Sequence, residues 1–217
     1  LIAASTPQAR TRDALTRALL GPDGSVATLR VRGANAVVRT VRVPRRTAFQ
    51  ALLASEREGP VFRLLPGNIG YADLDRLNPG DVDSMFAAFR DTRGIVFDMR
   101  GYPRETAWEI APRLTAARDV VAARFSLPMA RRPEGLVVEE QAGERLRAEF
   151  EQRIPVGTGA VYRGRTVMLI DERTQSQAEH TGLFLEAANG TAFIGTPSAG
   201  ANGDVTNVEL PGGLVAW

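Results

Sequence analysis

Apolar positions near the start of the chain follow a helical period. Leu15, Ala18 and Leu19 fall on one face at the i, i+3, i+4 spacing. After the turn Gly21-Pro22-Asp23-Gly24 the period changes to two. Ala27, Leu29 and Val31 alternate with Thr28, Arg30 and Arg32, and Val41 and Val43 alternate with Thr40 and Arg42. This predicts two half-buried strands. A stretch with prolines and charges, 44–60, then reads as a linker. Three regions result: a small β-rich module over 1–45, a linker over 46–65 and a larger domain over 66–217.

In the larger domain short apolar runs alternate with helical segments. Strands are expected at 69–74, 94–100, 166–171 and 192–195. Helices are expected from Asp81 to Phe89, over 105–118, and over 177–188, the last closed by Asn189-Gly190. Residues 124–129 and the charged stretch after them read as an exposed insertion. Segments 205–210 and 214–217 read as paired strands across Pro211-Gly212-Gly213. Strands alternating with helices give an α/β class with a parallel or mixed sheet. The last strand runs to the final residue, so this domain is expected to be truncated.

Composition narrows the functional classes. A chain of 217 residues with 44% hydrophobic content can hold one or two packed domains. The net charge is only +2, and no basic patch interleaves with aromatics, which argues against nucleic acid as a partner. No apolar run has the length of a membrane span. There is no cysteine, so thiolate metal sites, disulfides and a cysteine nucleophile are excluded. The 27 basic residues are all arginine; the chain has no lysine. It begins without methionine and shows no signal peptide, which suggests a fragment whose targeting segment lies upstream.

Three segments carry candidate chemistry, two of them at the carboxyl ends of strands, where sites of open parallel sheets collect. They are Asp171 to Ser176, Asp98 to Gly101, and Pro66 to Gly70. Ser176 at a helix start has two readings. It is an N-cap whose box Glu179 completes, or a nucleophile whose oxyanion is met by the next amide and the helix dipole. His180, four residues on, falls on the same helical face. It is either a packed histidine or a base. Glu139, Glu140, Glu144 and Glu149, with Arg145 and Arg147, read as a solvated helix face. Asp73, Asp75, Asp81 and Asp83 lack a metal-loop pattern. Gly200 to Gly203 reads as a turn rather than a phosphate loop, and Trp108 and Trp217 read as packing residues.

An ordered set of segments resembles the C-terminal processing peptidases, or tail-specific proteases, closest to their tricorn-core branch. These are Asn68-Ile69-Gly70-Tyr71, Phe97-Asp98-Met99-Arg100-Gly101-Tyr102-Pro103, Leu169-Ile170-Asp171 through Ser176-Gln177-Ala178-Glu179, and Ile194-Gly195-Thr196-Pro197-Ser198-Ala199-Gly200. The module before them resembles the C-terminal half of a PDZ domain. The resemblance implies a crotonase/ClpP-like β-β-α core and a serine endopeptidase working through an acyl-enzyme on a peptide or protein substrate, without cofactor or metal. It also implies a periplasmic or extracellular location. Carried over by position, Ser176 is the nucleophile, the N–H groups of Gly70 and Gln177 form the oxyanion hole, and Glu179 supports the site. The family lysine falls on Ala201, and Arg104-Glu105 replaces paired glycines. The general base is therefore expected outside this chain, with His180 the alternative inside it. Two other classes stay open: a catalytically inactive peptide-binding domain and a crotonase-type acyl-CoA enzyme.

Overall fold

The computed structural model describes residues 2, 4–22, 24–45, 57–128, 140–141, 144–145, 147–203 and 208–216. Near the start, helix α1 (Pro7–Ala18) leads into an antiparallel hairpin of β1 (Val26–Arg32) and β2 (Val38–Pro44). Thr6 caps α1, its hydroxyl accepting the Ala9 N–H at 3.3 Å, and Pro7 at the first helical position sacrifices no bond. The period-two pattern is realised. Ala27 is buried, Leu29 and Val31 are half-buried, and Thr28, Arg30 and Arg32 between them are exposed. The register pairs Ala27 with Val43 and Leu29 with Val41, so both strands turn their apolar positions to one side.

The main body is a five-stranded mixed sheet. Its strands are β3 (Phe62–Leu65), β4 (Ile69–Asp73), β5 (Gly94–Asp98), β10 (Arg165–Ile170) and β11 (Ala192–Gly195), in the order β11-β10-β5-β4-β3. All neighbours are parallel except the edge strand β3. Between β4 and β5 runs α2 (Val82–Phe89), entered through a 3-10 turn, Pro79–Asp81. Between β5 and β10 lie α3 (Ala107–Ile110) with its 3-10 extension Ala111–Arg113, a hairpin of β6 (Val121–Pro128) with β9 (Arg147–Arg153), and the two-residue pair β7 (Glu140–Gln141) and β8 (Glu144–Arg145). Helix α4 (Gln177–Asn189) joins β10 to β11 and ends on Gly190 at φ 73, the left-handed turn that glycine adopts without strain. A small hairpin, β12 (Val208–Leu210) with β13 (Leu214–Ala216), follows.

The parallel strands advance in one direction across the sheet, so right-handed crossovers place their helices on one face. There Ile95, Phe97 and Met168 of the sheet meet Met85, Phe89, Ile110, Phe184 and Leu185, all essentially without solvent exposure.

Three expectations change. Residues 105–118 are not one helix: Glu105 sits at φ 60, and the α-helical turn gives way to a 3-10 turn containing Pro112, which has no N–H to donate. The charged stretch read as a helix face is not helical where it is described: Glu140, Glu144 and Glu149 lie in β7, β8 and β9, while 124–128 ahead of it belong to β6, with Arg124 and Ser126 exposed; residues 129–139 lie outside those described. Phe62–Leu65, inside the segment read as a linker, is a strand because its Phe62 packs edge-on against Phe89 at 6.0 Å. The linker's 46–56, and 205–207 and Trp217 of the last strands, lie outside the described residues.

Candidate active site

Strands β5 and β10 end side by side, and the loops that leave them, 99–106 and 171–176, are tied together. The Met99 N–H donates to Leu169 O at 2.9 Å, extending the ladder by one step. The buried Thr174 hydroxyl donates to Met99 O at 2.9 Å, and Thr174 O accepts the Ala199 N–H at 2.9 Å. One threonine thus fastens three loops: those after β5, β10 and β11.

Ser176 lies at the end of the second loop with φ 52 and ψ −118, a combination few L-residues adopt, and Gln177 opens helix α4 directly after it. Backbone strain of this kind persists only where surrounding bonds over-determine it. Here Glu179 supplies them. Its carboxylate accepts the N–H of Ser176 at 3.0 Å, the N–H groups of Gly200 and Ala201 at 2.7 and 3.0 Å, and the Ser198 hydroxyl at 2.6 Å. The residue read as a capping partner therefore joins the serine turn to the loop after β11. Ala201, where the resemblance places a lysine, is brought to this carboxylate but carries only a methyl group.

Gly70 does not join Ser176. The parallel register aligns Gly70 with Ile95 and Thr166, near the beginnings of the strands, while Ser176 lies beyond the end of β10. From Thr166 to Ile170 alone the strand rises about 13 Å. Its small size answers packing instead: a Cβ at Gly70 would stand 2.7 Å from the Phe89 ring. Gly70 is thus removed as an oxyanion donor. The segment beside Ser176's loop is 99–106, where Glu105 takes φ 60. The strand-end rule picks out the start of that loop, but the sequence pattern gave no sign that Glu105 adopts a left-handed conformation.

His180 is half-buried in an aromatic cluster, with ring centroids 4.9 Å from Phe184, 5.8 Å from Phe125 and 6.5 Å from Trp108. Burial lowers its pKa below the ordinary histidine value. Among the described residues its ring has no hydrogen bond or ion pair. Trp108 packs here as expected, at 4.5 Å from Phe184.

The sheet face opposite the helices is ionic at its carboxyl end. Arg57 grips Asp73 through two bonds, at 2.6 and 2.8 Å, and donates to Arg100 O at 2.7 Å. Arg76 adds a bond to Asp73 at 2.7 Å. Arg100 grips Asp98 through two bonds, at 2.7 and 2.9 Å, and the Tyr71 hydroxyl donates to Asp98 at 2.8 Å. Burial opposes ionisation of Asp98, but these donors outweigh it and hold its pKa at about 2. Burial and the bond to ionised Asp98 push Tyr71 up to about 12. Asp73 is likewise lowered: burial is outweighed by Arg57 and Arg76.

Helix α1 reaches the same loops from the far end of the sequence. The Thr6 hydroxyl donates to Ala199 O and the Gln8 amide to Ser198 O, both at 2.8 Å. Arg12 donates to Glu172 O at 2.6 Å and to the Gln175 side chain at 2.9 Å. No sequence signal marks these contacts, because their partners lie 160 or more residues away. Among the described residues no cluster of three or more acidic or histidine side chains is arranged to hold a metal.

No family model matches the sequence, and no curated protein matches it. Solved structures do. A protein from Parabacteroides merdae, provisionally described as a peptidase, matches at TM-score 0.54 with 16% identity over 96% of this chain and 68% of its own. Mature CPAF matches at 0.57 with 15% identity over 96% of this chain, and CPAF complexed with lactacystin at 0.56 with 15% identity over 95%. This chain spans 61 to 62% of the CPAF chains. At these identities the likeness is one of fold: the chain shares its fold with CPAF and with the protein provisionally described as a peptidase.

Proposed function

We propose that the chain carries the nucleophile of a serine endopeptidase of the tail-specific type. The observation that carries this is Ser176 itself, held at φ 52 on the threshold of a 13-residue helix by the Glu179 carboxylate. A turn of this shape sets the next amide, that of Gln177, beside the serine hydroxyl. The Ser176 oxygen attacks the substrate carbonyl and gives its proton to a base. The oxyanion is met by the Gln177 N–H and by an amide of loop 99–106, with Glu105 the foremost candidate. The amine leaves with a proton, and water then hydrolyses the acyl ester. Lysine is absent and His180 is packed among aromatic rings, so the base is assigned to a residue outside these 217. Helix α1 and the β1–β2 hairpin are read as half of a PDZ-like domain, and the compartment as periplasmic or extracellular. The substrate class is peptide or protein, as the peptidase neighbours suggest.

The missing lysine and the sequestered histidine favour one second reading, a protease-like domain that captures peptides without cutting them. Fluorophosphonate labelling of the full-length protein separates the two. Labelling is expected for the wild type and for Ser198→Ala, and is lost in Ser176→Ala. Equal labelling of the wild type and Ser176→Ala would remove Ser176 as the nucleophile. An unlabelled wild type that still binds peptides would establish the second reading.

A further inference from the structure

We propose that the β1–β2 hairpin is a docking surface for an anionic phospholipid bilayer. Between Gly24 and Arg45 the sequence holds five arginines and no acidic residue. The register sets Thr28 opposite Arg42, Arg30 opposite Thr40 and Arg32 opposite Val38, so Arg30, Arg32 and Arg42 share the outward face while Ala27 and Leu29 turn inward. These three arginines and Arg39 are exposed, and among the described residues none of the four has an ion pair. Arg45 differs, since its guanidinium is turned back to Leu20 O at 3.2 Å.

The tip of the hairpin is apolar. Val37 is 60% exposed and Val38 44%, beside exposed Ala34 and Ala36. The tip is also preformed. Gly33 donates to Val37 O at 3.0 Å, Ala36 at φ 61 donates to Gly33 O at 2.9 Å, and the Asn35 side chain accepts the Val37 N–H at 3.2 Å. An apolar tip ringed by arginines matches the layering of a membrane surface, with phosphates outside and acyl chains beneath. Arginine suits phosphate because its planar fork can donate two bonds to one phosphate group. The hairpin has no aromatic side chain on which bases could stack, which disfavours single-stranded nucleic acid. An acidic peptide would use the arginines but leave the valines in water. The chain would rest on the bilayer through this hairpin; no helix among the described residues is long and apolar enough to cross it.

The test is co-sedimentation of the whole chain with phosphatidylcholine vesicles, with and without about 30% phosphatidylglycerol. Binding is expected only with the anionic lipid and is expected to fall away in about 1 M salt, where the Debye length is about 3 Å. Each arginine removed should cost about fivefold in partitioning, so Arg30→Gln/Arg32→Gln/Arg42→Gln should lose roughly a hundredfold. Val37→Ser/Val38→Ser should lose roughly tenfold. Arg90→Gln, at an exposed site on the main body, should bind as the wild type does. Thermal melts confirm that each variant is folded. Equal binding to neutral vesicles, an unchanged triple variant, or binding to polyglutamate or RNA with none to vesicles would overturn the proposal. So would a stable dimer that buries the hairpin and ignores lipid.

Discussion

On one face of the five-stranded sheet, Ile95, Phe97 and Met168 meet Phe89, Phe184 and Leu185. On the other, Tyr71, Asp73 and Asp98 meet Arg57, Arg76 and Arg100. The apolar face stabilises by area and shape, and its members substitute for one another in kind. The ionic face gains little net free energy from being present, yet loses much when one partner is removed, because the other is left without its counter-charge. Its position explains its presence. Asp73 and Asp98 end their strands where the loops depart, and Arg100 is the second residue of the loop beside Ser176. The apolar face sets the fold; the ionic face fixes where the chain leaves it.

Phe97→Ala would be the heaviest blow, with about 3–5 kcal/mol lost in urea unfolding, since a fully buried ring leaves a cavity. Asp98→Asn should cost less, about 2–3 kcal/mol near neutrality, and should speed hydrogen exchange in 99–106 more than in the core. A uniform exchange response would break the distinction between the faces. Acid sharpens it. The folded pKa of Asp98, about 2, lies below the ordinary aspartate value near 3.8, so its contribution is present above that value and is lost as pH falls towards 2. Wild type and Asp98→Asn should therefore converge in stability at low pH, whereas Phe97→Ala should stay separate. A constant gap between wild type and Asp98→Asn down to pH near 2 would contradict the assignment.

Glu179→Ala removes the acceptor of four donors and should cost about 1–3 kcal/mol, with labelling of Ser176 reduced although the fold survives. His180→Gln should have the smallest effect, about 1 kcal/mol near neutrality, with Ser176 labelling unchanged. Because burial lowers the folded pKa of His180, wild-type stability is complete above the ordinary histidine range and declines as pH falls through the depressed value. The glutamine variant should lack that slope. A fall in labelling as deep as that of Ser176→Ala, with an unchanged melt, would instead make His180 the base.

Much of the scaffold is legible in local pattern. The strands around Val96, Met168 and Phe193 are short apolar runs, and α4 is bracketed by Ser176 and Gly190, whose chemistry suits helix ends. What escapes is set by distance along the chain. Phe62–Leu65 is a strand because it meets β4 and Phe89, and β6 because it meets β9, neither of which periodicity senses. Glu179 is visible as a helix-capping residue, while its reach to Ser198, Gly200 and Ala201 is not. Gly70 shows the limit most plainly. A glycine in a family-like motif suggests room for a substrate, and only the register reveals that the room is filled by Phe89.

The carboxylate of Glu179 also imposes an order of events on the newborn chain. Ser176 and Gln177 emerge more than twenty residues before Gly200 and Ala201, the donors that complete their clamp, and Thr6 waits for a partner 193 residues downstream. Until then the serine turn has only the local half of that clamp, the bond from its own N–H to Glu179. The serine turn is therefore completed only after the loop that follows β11 has been made and has docked.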